Sequence, residues 1–123
     1  MSKEKINANT TDNNQKVTNI RVEFHFNMEN DTDEIEISRC IIAALFAQEN
    51  INCIDSSKEY LIFEDSKNKY LDIFVALSDL RYDELVIKNL RESYIWFDAK
   101  EDLLHKFLRK NSPYEFSIDD ILM

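Results

Sequence analysis

Apolar and polar residues alternate without a break from residue 18 to residue 28. Ile20, Val22, Phe24, Phe26 and Met28 fall on one side, and Arg21, Glu23, His25 and Asn27 on the other. A period of two with bulky apolar residues on one face predicts a half-buried strand. The period then changes. Ile37, Cys40, Ile41, Ala44, Leu45 and Gln48 recur at helical spacing, and Ile42, Ala43, Phe46 and Ala47 widen the apolar side, which predicts a helix buried on more than one side. Asp33, with Glu36 three residues later, is its expected cap. Asn50 is its expected stop, because asparagine tolerates the left-handed backbone that ends many helices at glycine. Ile51 to Asp55 reads as a short extended piece or a loop.

A second alternation runs through "KEYLIFEDSKNKYLDIFVAL". It predicts a hairpin of strands 59–64 and 70–77 around the turn Ser66-Lys67-Asn68-Lys69. Leu71, Ile73, Val75 and Leu77 would share one face of the second strand. Its other face, with Tyr70, Phe74 and Ala76, is also largely apolar, so this strand is expected at the centre of the sheet. Ser78 is the expected cap of a second helix reaching residue 92. Tyr94-Ile95-Trp96-Phe97 then predicts an aromatic strand, with Ile95 and Phe97 on one face and Tyr94 and Trp96 on the other. Asp98 with Glu101 repeats the capping pattern for a third helix over 99–110, striped by Leu103, Leu104, Phe107 and Leu108.

The order β-α-β-β-α-β followed by a C-terminal helix predicts an α+β fold, a ferredoxin-like two-layer sandwich with helices on one face of an antiparallel sheet. Residues 1–17 hold only Ile6 and Val17 as large aliphatic residues beyond Met1, and are expected to form a disordered polar tail. Residues 18–123 are then a single domain, of a size that supports one core. The apolar segment "SPYEFSIDDILM" at 112–123 is expected to dock on that core or on a partner.

Composition narrows the chemistry. There is no glycine in 123 residues and only one proline. Phosphate-cradling loops, dinucleotide fingerprints, calcium loops and nucleophile elbows all need glycine for close approach or positive φ, so these classes are disfavoured. Cys40 and Cys53 stand too far apart for a Cys-x-x-Cys pair and are expected in the core. No apolar run reaches the length of about 18 residues that spans a bilayer, and the N-terminus lacks a signal-peptide pattern. A cytoplasmic location without membrane association is the expectation.

Charge changes the picture most. The chain carries 24 acidic and 15 basic side chains, a net of −9. Lys3, Lys5 and Lys16 outnumber Glu4 and Asp12 in the first seventeen residues, so the remainder sits near −10. Such a surface repels nucleic acid and attracts basic proteins.

Four clusters carry candidate chemistry. The carboxylates Glu29, Asp31 and Asp33 alternate as calcium ligands do, but no glycine completes the loop and helix capping accounts for them. His25 and His105 with carboxylates are the only basis for a metal-dependent hydrolase, yet both are expected on solvated faces. Tyr94 and Trp96 are residue types favoured at binding hot spots. Asp79, Asp83 and Glu84 are expected on consecutive turns of one helix, an acidic face able to steer a basic partner. These observations point away from an enzyme and away from any cofactor or metal. They point to a small acidic interaction module: an immunity or inhibitor protein, of the kind carried by bacteria or mobile elements, that neutralises a basic toxin or nuclease. Its expected contact residues are Glu23, His25, Asp79, Asp83, Glu84, Tyr94 and Trp96. A structural or adaptor subunit of a larger assembly is the alternative.

Overall fold

The computed structural model describes residues 19–108. The expected tail at 1–17, the end of the third predicted helix and the docking of 112–123 lie outside the described residues. Between them run β1 (Asn19–Phe26), α1 (Thr32–Gln48), β2 (Cys53–Ser56), β3 (Tyr60–Ser66), a 3-10 turn (Lys67–Lys69), α2 (Tyr70–Leu80), α3 (Glu84–Asn89), β4 (Leu90–Trp96), β5 (Lys100–Asp102) and α4 (Leu103–Leu108). The fold is α+β, with four helices and a five-stranded antiparallel sheet in the order β2-β3-β1-β4-β5.

The alternation of β1 carries the architecture. Ile20, Val22, Phe24 and Phe26 are all buried, and β1 lies in the middle of the sheet. Val22 stands between Phe63 of β3 and Ile95 of β4, and Phe24 between Leu61 and Ser93. Helix α1 adds Phe46, which stacks on Phe63 at 4.2 Å between ring centroids and meets Phe24 edge-on at 5.6 Å. Ile73, Leu77 and Leu80 of α2, Val86 of α3, and Leu103 and Phe107 of α4 complete one continuous core. Ser93, buried beside them, donates its hydroxyl to the backbone oxygen of Glu23 at 2.8 Å, which satisfies a polar group inside this apolar layer.

The ends of α1 show how a chain without glycine closes a helix. Asn50 has φ 58°, and its N–H bonds to Ala47 O while the next N–H, of Ile51, bonds to Phe46 O. This is the paired arrangement of a Schellman stop, with the accompanying apolar contact supplied by buried Ile51 and Phe46. Lys69 then donates to the carbonyls of Glu49 and Asn50, where the negative end of the helix dipole favours a cation. The N-terminal cap differs from the expectation: Asp31, not Asp33, accepts from Glu34 N, and Asp33 lies within the first turn. The helix also buries one side only, with Ile35, Ser38, Ile42 and Phe46 inward and Ile37, Cys40, Ala43 and Ala47 outward.

Five further expectations are corrected. Residues 70–77 are helix, not strand: Ile73, Phe74, Ala76, Leu77 and Leu80 are buried at helical spacing, while Leu71 and Val75 are 53% and 48% exposed. The hairpin is therefore absent, and β3 pairs instead with β1 and β2. The helix expected over 78–92 is divided. Ser78 lies inside α2, and α3 starts afresh at Asp83, whose side chain accepts from Val86 N. The residues expected to open the third helix form edge strand β5, Asp98 pairs with Lys67 at 2.6 Å, and Asp102 accepts from His105 N at the start of α4. Cys40 and Cys53 are exposed, on the outer side of α1 and on edge strand β2, and Met28 lies past the end of β1 and is 45% exposed.

Candidate functional site

Alternation on the three central strands leaves a second face, opposite the core, and the registers decide what meets there. Arg21 lies between Glu64 of β3 and Trp96 of β4; Glu23 between Ile62 and Tyr94; His25 between Tyr60 and Glu92. Edge strand β5 extends the face, with Lys100 opposite Trp96 and Asp102 opposite Tyr94. At the β1–β4 pairing the register shifts between His25 and Phe26, an irregularity that leaves Arg91 over and sets it beside Glu92, where its Nε donates at 3.0 Å. Arg21, Glu23, His25, Glu64, Tyr94 and Trp96 are all half-buried.

These side chains form a connected polar network. Glu23 accepts from Arg21 Nε at 2.7 Å and from His25 Nε2 at 2.8 Å. Arg21 also reaches Glu64 at 3.7 Å, and Asn19 donates to the same carboxylate at 2.8 Å. Burial pushes the Glu23 carboxyl up, but the hydrogen bonds from His25 and Arg21 and the charge of both outweigh it, and Glu23 titrates below the usual carboxylate value. The Tyr94 hydroxyl donates to Glu92 at 2.5 Å; this bond, helped by Arg91, holds Glu92 low against burial, and it raises the Tyr94 phenol. At the other side of the sheet Tyr60 donates to Asp55 at 3.2 Å, and the charge of Asp55 raises its phenol.

The aromatic pair is held in one geometry. Tyr94 and Trp96 project from alternate positions of β4 with ring centroids 6.0 Å apart and planes inclined at 57°. Lys100 Nζ rests 4.1 Å from the Tyr94 centroid and 5.4 Å from that of Trp96, distances at which an ammonium is attracted to aromatic faces. Next to this pair lies a cleft of about 360 Å³. One wall is Arg91, Glu92 and Tyr94, the other Leu104, His105 and Leu108 of α4, with Asp102 at the join.

The seven residues expected to contact a partner thus separate into two groups. Glu23, His25, Tyr94 and Trp96 come together on the outer sheet face. Asp79, Asp83 and Glu84 lie in the helical layer and not on one helix: Asp79 is exposed near the end of α2, Asp83 caps α3 and Glu84 starts it. Among the described residues no group of three or more His, Cys, Asp or Glu side chains is arranged to hold a metal ion. His25 is engaged with Glu23, and His105 lines the cleft from α4.

Sequence reasoning did not single out Lys100 or the pairing of Glu92 with Tyr94. Lys100 was hidden because Asp98 and Glu101 imitate a helix cap. A three-residue connection between Trp96 and Lys100 was the available signal for a hairpin. No known protein family, curated protein or solved structure matches this chain.

Proposed function

We propose that this chain is a small, acidic, non-enzymatic interaction module that works in the cytoplasm as an inhibitor or immunity protein, neutralising a basic partner such as a toxin or nuclease. The observation that carries this reading is the outer sheet face. It gathers Glu23, Glu64, Glu92 and Asp102, interleaved with Arg21, Arg91 and Lys100, on the strands that carry Tyr94 and Trp96. Strands fix side chains more firmly than loops do, so the aromatic anchors and the carboxylates are presented in a set pattern. Carboxylates around the anchors draw in a basic surface and set its register, and desolvated aromatics hold it. The net charge of −9 acts at longer range to raise the encounter rate. We further read the architecture as a ferredoxin-like, split β-α-β arrangement with β5 added outside β4, a reading supported by the order β2-β3-β1-β4.

A second reading, as an adaptor or structural subunit, has its own support. Leu71 and Val75 lie one turn apart on α2 and are about half exposed, with Tyr82 exposed just beyond the helix. Apolar side chains in such a row suit a protein neighbour.

The test is to express the chain with the products of its neighbouring genes and to follow association as sodium chloride is raised from low to physiological strength. The inhibitor reading expects a complex whose association rate falls steeply with salt. It also expects Trp96→Ala to weaken the complex by about 30-fold, the size of a hot-spot truncation. A complex indifferent to both salt and Trp96, but lost on Leu71→Glu, would favour the adaptor reading instead.

A further inference from the structure

We propose that Tyr94 and Trp96 are a receptor for a lysine or arginine side chain of the partner, and that Lys100 occupies it in the free protein as an internal stand-in that the partner displaces. This rests on the reading of a basic protein partner and names the atoms that would recognise it.

The geometry is that of a cation site. Two ring faces inclined at 57° with centroids 6.0 Å apart open a wedge, and an ammonium already sits in it, 4.1 Å from one centroid and 5.4 Å from the other. The rings are positioned from behind. The Tyr94 hydroxyl is anchored on Glu92, and Trp96 stands opposite Arg21 in the β1–β4 register. Around the wedge the carboxylates are engaged elsewhere: Glu23 with Arg21 and His25, Glu92 with Arg91 and Tyr94, and Asp102 with the N–H of His105. Glu23 and Glu92 are thus largely balanced by Arg21 and Arg91 and do not draw the Lys100 ammonium away from the rings, while Asp102, bonded to a neutral N–H, keeps its negative charge beside the wedge; Lys100 forms no ion pair within 4 Å among the described residues.

The occupant is also easily moved. Lys100 is exposed, and β5 is a three-residue edge strand with one neighbour. A cation over an aromatic face at an exposed site shifts an equilibrium by only about two- to five-fold. A partner that buries its own cation in the same wedge, with water excluded, gains more from the rings than Lys100 does. Lys100 then acts as a competitor, and it lowers the apparent affinity by the fraction of time it fills the wedge. It also shields the aromatic pair from unrelated apolar contacts while the protein is alone.

The chain has a single tryptophan, and it is Trp96, so the site reports on itself. The experiment uses the full chain and a hexalysine peptide as probe, followed by tryptophan fluorescence and by calorimetry. Lys100→Met removes the competing ammonium while retaining the aliphatic stem, and Lys100→Gln is a second variant should Met perturb the edge strand. Lys58→Met makes the same change of net charge outside the five strands. The expected result is that hexalysine alters Trp96 emission, and that both Lys100 variants bind it about two- to five-fold more tightly than Lys58→Met does. Two outcomes overturn the proposal: Lys100 variants that bind no more tightly than Lys58→Met, or binding by calorimetry with Trp96 emission unchanged. Either of these leaves the basic-partner reading standing on its acidic surface. Hexalysine that produces neither heat nor a fluorescence change overturns the proposal and counts against a basic partner as well.

Discussion

Glu23 receives two donors on the outer sheet face, Arg21 Nε at 2.7 Å and His25 Nε2 at 2.8 Å, and its own backbone oxygen takes the hydroxyl of buried Ser93. Its carboxyl titrates below the ordinary value of 4.5 because those bonds and charges overcome burial. A carboxylate with a lowered folded-state pKa contributes stability above its unfolded pKa, and that contribution disappears as pH falls through the folded value. Glu23→Gln is therefore expected to lower the urea midpoint at pH 7 and pH 5. Below pH 4.5 the gap from the unsubstituted protein should narrow, and it should close once the native carboxyl is protonated. Urea titrations at a series of pH values check this; a gap that stays constant into strong acid would show that the network does not depend on the charge of Glu23. At this scale much was legible in the residues. Alternation alone put Arg21, Glu23 and His25 on a common face, because a period of two is a property of the strand itself. Their actual neighbours, Tyr94, Glu92 and Trp96, were not legible, since register joins residues about 70 positions apart.

At the scale of elements, the segment 70–77 shows why one pattern can support two structures. Leu71, Ile73, Val75 and Leu77 alternate, yet Ile73, Phe74, Leu77 and Leu80 also recur at helical spacing. A short apolar run does not separate the two periods. Tertiary context decides: β3 already has β1 and β2 as neighbours, so no sheet position beside it remains for residues 70–77. The 3-10 turn begun by Ser66, whose hydroxyl accepts from Asn68 N, leads the chain into a helix instead. Helix α3 is short, and a polar tie holds it against α1. Asn89 is fully buried and donates to Leu85 O at 2.9 Å and to Ser38 Oγ at 3.3 Å, while its side-chain oxygen accepts from Asn30 at 3.0 Å. Asn89→Leu leaves the Ser38 hydroxyl and the Asn30 amide short of a partner, and unfolding by urea should show a loss of about 1–3 kcal/mol. Asn30→Ala removes a donor from a partly exposed position and should cost less. Equal losses for the two would mean that packing of the Asn89 side chain, not its hydrogen bonds, joins α3 to α1.

For the whole molecule the informative balance is between one apolar core and a surface of mostly like charge. The core is built around Phe24, Phe46 and Phe63, with β1 at the centre of the sheet; the alternation of β1 marked its buried face in advance, but the central place was expected for residues 70–77, which are helix. The strand order could not be read in advance, because pairing between distant segments leaves no local mark. The charge balance was readable from the residues alone, and it leads to a test of how the fold is held. The net charge is −9, and most of the described ion pairs have one partner exposed to solvent, as in Lys88–Glu34 and Lys67–Asp98. Exposed pairs contribute about 0–1 kcal/mol each, and salt weakens them. Salt weakens the longer-ranged repulsion among unpaired carboxylates as well, because the screening length shrinks from about 30 Å at 0.01 M to about 8 Å at 0.15 M. With 24 acids facing 15 bases, repulsion has more members than attraction, so raising sodium chloride across this range should stabilise the protein. Relief of about 1 kcal/mol corresponds to a rise in Tm of about 4 °C for a domain of this size. Calorimetry at pH 7 measures it directly. A fall in Tm would mean that the ionic network of the outer face, with Arg21 between Glu23 and Glu64, outweighs the net charge, and would make that face a main support of the fold as well as the proposed contact surface.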